Sequence, residues 1–273
     1  MSAKRNYSLR IPSDQIGRIE AVLREEGLEK REVQNTLWSY RGDGVYVNMY
    51  PSGMLLVQGR SAERWSEKIL RNVEVPEGPL AGCDEAGKGE TFGPLVLCCA
   101  VIPPENFRKV LSLGPKDSKS MKEGEIFRKA KELRKLVRVR CITLMPERFN
   151  ELYREYKNMN RLMDSAYRKL VKTVLEEFSP IRVVVDAYSK RNPFQDLKGV
   201  EFVEKGESDV AVSVASIMAR AKFLEKLRDL EREYGVELPR GAGSEVKEAV
   251  NRLRSIKPEL VEKVSKVFPE GRE

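Results

Sequence analysis

The sequence predicts an α/β protein: a domain of strands alternating with helices, preceded by a small α+β module. Three observations predict it. From residue 80 onward, apolar runs of strand length alternate with stretches of helical period. Residues 1–72 instead crowd short alternating segments between two helical stretches. Between the two parts, residues 73–79 carry two prolines, two glutamates and a glycine, the composition of a linker. A chain of 273 residues has room for both units and for a sizeable core in the larger, at residues 80–273. With 41% hydrophobic and 34% charged residues it is globular rather than disordered.

In the first unit, residues 6–11 are expected as a short strand. Pro12-Ser13-Asp14 then opens a helix with Ile16, Ile19, Val22 and Leu23 on one face, stopping at Gly27. Residues 45–50 and 54–58 form a hairpin across Pro51-Ser52-Gly53, and Ser61 caps a second helix running to about residue 72. In the second unit, residues 95–102, 138–144 and 181–188 are strands. Residues 161–178 are helical, with Leu162, Ala166, Leu170, Val174 and Phe178 spaced by four. Residues 210–234 form a long helix with Gly235 just past its end, followed by a further helix and a basic tail.

Composition narrows the chemistry. The net charge of +8 favours a polyanionic partner such as nucleic acid. There is no histidine, which excludes Ser-His-Asp and Cys-His catalysis and histidine-ligated metals. Hydrolysis would have to use carboxylates, Lys, Cys, Tyr or a metal held mainly by oxygen. The four cysteines, Cys83, Cys98, Cys99 and Cys141, form no C-x-x-C pair and lie in apolar runs. They read as small buried hydrophobes in a reducing, cytoplasmic setting. The longest apolar run is too short to span a membrane.

Three segments carry candidate chemistry. In Gly82-Cys83-Asp84-Glu85-Ala86-Gly87-Lys88-Gly89, two adjacent carboxylates sit in a glycine-flanked stretch before a buried strand. Alone they read as a solvated turn, but glycines around a lysine also suit a phosphate. In Val183-Val184-Val185-Asp186, an Asp ends a run of β-branched residues, at the strand edge where ligands of open α/β sheets gather. Lys205-Gly206-Glu207-Ser208-Asp209 enters the long helix, where acids ordinarily serve as caps. Together, carboxylates from separate places in a histidine-free basic protein suit Mg²⁺ or a similar hard cation and phosphodiester chemistry.

At these residues the chain resembles the type 2 ribonucleases H. The opening motif is Asp84-Glu85-Ala86-Gly87-Lys88-Gly89 with Phe92-Gly93-Pro94-Leu95-Val96. Asp117-Ser118-Lys119, Val184-Val185-Asp186 and Ala215-Ser216-Ile217-Met218-Ala219-Arg220 follow in the family's order. The resemblance covers about residues 80–243. It is closer to ribonuclease HIII than to HII, because the motif reads Gly-Lys-Gly rather than Gly-Arg-Gly. The segment Leu238-Pro239-Arg240-Gly241-Ala242-Gly243 also resembles HIII.

The resemblance implies a ribonuclease H-like catalytic domain, a mixed sheet flanked by helices, behind a small TATA-box-binding-protein-like domain that grips the substrate. It implies cleavage of the RNA strand of RNA/DNA hybrids, leaving 5′-phosphate and 3′-hydroxyl ends, by two Mg²⁺ or Mn²⁺ ions. Asp84, Glu85 and Asp186 match three of the family's metal ligands. Glu207 fits the fourth, with Asp209 as rival because the spacing to Ser216 is one residue short. Gly87, Lys88 and Gly89 would meet the ribose and phosphate, and Ser118 and Lys119 a phosphate. A monomer suits an enzyme that clamps a duplex. In residues 1–72, Trp38, Tyr40, Tyr46, Tyr50 and Trp65 lie among Arg31, Arg41, Arg60 and Arg64, a mixture that suits a nucleic-acid face with about two of the aromatics on the surface. The readings set against this are an HII-like enzyme cutting at single ribonucleotides in DNA and a non-catalytic nucleic-acid-binding protein. The glycine segment is no P-loop, so a phosphotransferase of small molecules is disfavoured.

Overall fold

The computed structural model describes residues 6–267, except for the side chain of Glu207. The N-terminal part runs β1 (Asn6–Arg10), α1 (Ile16–Glu25), β2 (Glu29–Arg31), β3 (Trp38–Gly42), β4 (Val45–Met49), β5 (Met54–Gly59) and α2 (Ala62–Asn72). Its strands form an antiparallel sheet in the order β1-β5-β4-β3-β2. Alternation buries Leu9, Val45, Val47, Leu55 and Val57 beneath Ile19, Leu23, Trp65 and Ile69 of the helices. The other face carries Tyr46, Gln58 and Arg41 in one row, with Tyr46 47% exposed. Ser61 stands at the N-cap of α2 as expected, but its side chain makes no capping hydrogen bond. Strand β2 is not foreseen from the sequence, because glutamate, lysine and arginine fill it and no apolar alternation marks it.

The second part runs β6 (Leu80–Ala86), β7 (Leu95–Ile102), α3 (Phe107–Ser112), α4 (Glu123–Leu133), β8 (Arg138–Leu144), α5 (Pro146–Tyr156), α6 (Met159–Phe178), β9 (Arg182–Asp186), β10 (Val200–Val203), α7 (Val210–Tyr234), α8 (Ser244–Ile256) and α9 (Val261–Val264). The sheet order is β10-β9-β6-β7-β8; β9 is parallel to β6 and β10, while β7 is antiparallel to β6 and β8. Helices cover both faces, which is why β7 is apolar throughout. Val96, Cys98, Ala100 and Ile102 face α7, and Leu95, Leu97, Cys99 and Val101 face α5 and α6. The central strand, β6, reads from the sequence only as a turn-like approach to β7. Its sequence LAGCDEA lacks the β-branched run that announces a strand.

The cysteines need correcting. Cys83 is bonded to Cys99 and Cys98 to Cys141, so none is free among the described residues. Each pair sits directly opposite in the antiparallel register, with Cα atoms 4.1 and 4.2 Å apart. Cys98 and Cys99 point to opposite faces, so one bridge ties β6 to β7 on one face and the other ties β7 to β8 on the second. A search for C-x-x-C spacing cannot see partners brought together across strands. The pairing withdraws the cysteine argument for a reducing compartment. The basic tail also differs from expectation at Lys266, which is buried and donates to Gly93 O at 2.7 Å. That contact holds the end of the described chain against the turn preceding β7. Among the described residues no helix is long and apolar enough to cross a membrane.

The two parts are docked, not strung on a free tether. Val73 is buried, and its carbonyl accepts from Arg108 Nε and Nη2 at 3.1 and 2.8 Å. Gln15 exchanges two amide hydrogen bonds with the Glu74 backbone. One apolar cluster runs from Leu9 and Leu55 through Phe107 and Val110 to the α7 side of the larger sheet.

Candidate active site

Parallel strands β6 and β9 end side by side, and their last residues bring Asp84, Glu85 and Asp186 to one cleft of about 620 Å³. Gly87, Lys88, Gly89, Ser118 and Lys119 line the same cleft. Among the described residues the rival ligand Asp209 does not line it; the remaining residue expected from the sequence is Glu207. Its backbone lies in a short turn, Gly206–Ser208, leading into α7, and its side chain lies outside the described residues.

The carboxylates are half-buried and crowd one another. The Asp84 carboxyl is pushed up to about 7, first by burial, then by Glu85 and Asp186, against the opposing hydrogen bond from Ser216. Glu85 is also raised by burial, opposed by Tyr167, Lys88 and Lys119. Among the described residues no three acidic side chains close around a single point. The donor set nevertheless fits a hard divalent cation: it is all carboxylate oxygen, held in like-charged proximity that a cation relieves, and open to water and substrate oxygens that would complete a shell. Asp186, Asp84 and Glu85 are the described residues that would hold it.

The surrounding chain fixes each group. Asp186 Oδ1 accepts from Gly206 N–H at 2.8 Å. A Cβ on Gly206 would come within 3.0 Å of that oxygen, so glycine lets the turn nest against Asp186. Asp209 is occupied elsewhere: Oδ1 caps α7 by accepting from Ala211 and Val212 N–H, and Oδ2 meets Arg182 Nη1 at 2.9 Å. Ser118 is buried, its hydroxyl 2.8 Å from that of Ser216 on α7, whereas Lys119 is exposed. Lys88 donates to the Tyr188 carbonyl at 2.9 Å and lies over that ring. Gly87 has φ +91°, and a side chain there would collide with Pro94 O. Among the described residues nothing comes within 4 Å of where a Cβ of Gly89 would stand.

Sequence reasoning missed several supports. Fully buried Tyr167 donates to Glu85 Oε2 at 2.7 Å and stacks on Tyr188, whose hydroxyl donates to Asp164. Arg220 holds Glu90 at 2.7 Å, and Glu90 accepts from Gly241 N–H, which pins the 238–243 segment to the cleft rim. The position of Arg220 within the Ala215–Arg220 motif is a usable signal; Tyr167 lies beside the Leu162, Ala166 and Leu170 row of its helix and carries no signal of its own.

Tyr167→Phe removes the donor that lowers Glu85, so the Glu85 carboxyl moves further up. The expected result is a metal requirement about tenfold higher at neutral pH, of the order seen when outer hydrogen bonds to metal ligands are lost. The acid limb of the pH–rate profile should move to higher pH. Activity titrated against Mn²⁺ at several pH values checks this; unchanged titrations would mean the hydroxyl does not tune Glu85.

Acidic side chains gathered at the ends of central strands, with lysines on the rim, define a hydrolase that works on nucleic-acid phosphodiesters with divalent metal. The ribonuclease HII family model matches residues 81–265. Ribonuclease HIII of Aquifex aeolicus is 41% identical over 248 residues, covering 91% of this chain and 95% of the relative. The crystal structure of Aquifex aeolicus RNase H3 superposes with a TM-score of 0.63 at 40% identity, covering 95% of this chain and 98% of that one. Bst-RNase HIII in complex with Mn²⁺ gives a TM-score of 0.67 at 26% identity, covering 97% and 96%. The chain belongs to the ribonuclease HII family and, within it, to the ribonucleases HIII.

Proposed function

We propose that this enzyme hydrolyses the RNA strand of RNA/DNA hybrids at the cleft between β6 and β9. The observation that carries the reading is the convergence of Asp84, Glu85 and Asp186 on one cleft rimmed by Lys88 and Lys119. Asp84, Glu85, Asp186 and Glu207 are the metal ligands in this reading. Asp209 is disfavoured because both of its oxygens already serve the helix cap and Arg182. Held by these carboxylates, a pair of Mg²⁺ or Mn²⁺ ions would supply the Lewis acidity for activating a water and stabilising the leaving 3′ oxygen.

The protein's own groups position the strand. Gly89, with no atom of the described residues near its missing side chain, lets a ribose approach the backbone, where the 2′-hydroxyl distinguishes RNA from DNA. Lys88, anchored on Tyr188, and exposed Lys119 meet phosphates. Ser118, whose hydroxyl and backbone N–H are both engaged by the Ser216 hydroxyl, holds in place the loop that carries Lys119.

Residues 1–72 serve as the substrate-binding domain and 80–273 as the catalytic domain, joined by residues 73–79. The open face of the N-terminal sheet suits a duplex. There Tyr46 is exposed, with the Arg31 guanidinium 5.2 Å from its ring centroid, and Arg41 lies beside it in the sheet. Trp38, Tyr40 and Trp65 are core residues, and Tyr50 is half-buried. This substrate suits a monomer in the cytoplasm.

The test is cleavage of an end-labelled hybrid with and without Mg²⁺, beside duplex DNA, single-stranded RNA and duplex DNA holding one ribonucleotide. Multiple metal-dependent cuts confined to the hybrid's RNA strand are expected; a preference for the lone ribonucleotide would favour the HII-like activity, and no metal-dependent cutting would leave a binding protein. Glu207→Gln should lower cleavage about 100-fold or more. Asp209→Ala should instead cost about 1 kcal/mol of stability through the lost cap, with activity retained. The reverse pattern would make Asp209 the ligand.

A further inference from the structure

The turn that carries Glu207 is held from the other half of the molecule. Arg10, at the end of β1, is buried, and its Nη2 donates to Ser208 O at 2.6 Å, across 198 residues of sequence. Its Nη1 donates to Ser52 O, also at 2.6 Å, in the tight turn between β4 and β5. The guanidinium packs against Gly53, where a Cβ would come within 3.3 Å of Arg10 Cζ; Gly53 has φ +81°. One planar group thus joins an N-terminal hairpin to the loop beside the carboxylate cluster.

On its other side the same turn is held by Asp186 through Gly206 N–H, and after it Asp209 is fixed by Arg182 and the α7 cap. Lys205 takes a left-handed conformation at φ 59°, a position a non-glycine residue keeps only where its surroundings enforce it. The Arg10 bond to Ser208 O is such a constraint, one residue from Glu207.

We propose that Arg10 is a positioning residue for the reaction. By clamping Ser208 O it presents Glu207 to the metal site, so that the N-terminal unit helps to build the catalytic centre as well as holding substrate. The inference rests on the assignment of Glu207 as a ligand. A lysine at position 10 presents one nitrogen where the arginine presents a planar fork aimed at two separate carbonyls, so it restores the clamp only in part.

The experiment compares wild type, Arg10→Lys, Arg10→Met and Glu207→Gln. It uses amide hydrogen exchange of the metal-free proteins, Mn²⁺ binding by electron paramagnetic resonance, and kcat and KM on a hybrid. Arg10→Met should speed exchange at residues 205–210 while leaving β6 and β7 protected. It should weaken Mn²⁺ binding about tenfold and lower kcat by a similar factor, with KM for the hybrid within roughly twofold. Arg10→Lys should fall between. A rise in KM with unchanged Mn²⁺ affinity and exchange would overturn the proposal and make Arg10 part of the substrate grip. Faster exchange throughout both sheets would overturn it as a purely structural role. If Glu207→Gln binds Mn²⁺ as wild type does, the ligand assignment fails instead, and local exchange still decides whether Arg10 holds the turn.

Discussion

Asp84→Asn is expected to lower metal-dependent cleavage by about a thousandfold or more and, at the same time, to stabilise the metal-free protein at pH 8. Both effects have one cause. Asp84 is half-buried beside Glu85 and Asp186, which raises its carboxyl from 3.8 to about 7 in the folded protein. Between those two values the folded protein binds more protons than the unfolded chain, so stability falls as pH rises. The penalty is absent below the unfolded value and complete above the folded one, and each tenfold change in proton affinity on folding is worth about 1.4 kcal/mol. The asparagine carries no charge to bury. Its advantage over wild type should therefore be near zero at pH 4 and reach a few kcal/mol at pH 8. Urea unfolding in EDTA at the two pH values measures the difference. Divalent metal should erase it by stabilising wild type and not the variant. An Asp84→Asn protein that cleaves hybrids normally would remove Asp84 from the site. One no more stable than wild type at pH 8 would mean that the crowded carboxylates cost the fold nothing.

Local signals explain what could be read in advance. Asp84, Glu85 and Asp186 are legible because glycines and a lysine surround the first two, Val183-Val184-Val185 puts the third at a strand end, and the motifs resemble those of the type 2 ribonucleases H; the structure puts all three in one cleft. The long helix and its Gly235 stop were visible because an apolar stretch followed by a left-handed glycine is a local signal. Non-local partners were not. Tyr167 reaches Glu85 across 82 residues and Arg10 reaches Ser208 across 198, and neither contact leaves a mark on its own segment. The cysteine bridges escape for the same reason, since their pairing is set by strand register. Strand β6 escapes because the small residues Ala81 and Gly82 answer to a packing demand, not to strand propensity.

That demand gives the second large effect: Gly82→Ala should destabilise the protein by more than about 4 kcal/mol, at the extreme of single substitutions. A Cβ at Gly82 would fall within the atomic envelopes of Val212 N and the Ala211 carbonyl. Both belong to the first turn of α7, so the obstruction is backbone against backbone, and no side-chain rotamer relieves it. The bare glycine lets α7 lie directly on the central strand, with Val214, Ala215, Ile217 and Met218 buried against the sheet. This contact also sets the distance from the Asp209 cap and the Gly206–Ser208 turn to Asp84, two residues beyond Gly82. If some of the variant folds, α7 must shift outward, and the Ser216 contacts to Ser118 and Asp84 must loosen with it. The folded fraction should then bind Mn²⁺ more weakly than wild type. Thermal unfolding with and without Mn²⁺ reads both consequences. A variant within about 1 kcal/mol of wild type and stabilised equally by the metal would show that α7 need not touch the strand to assemble the site.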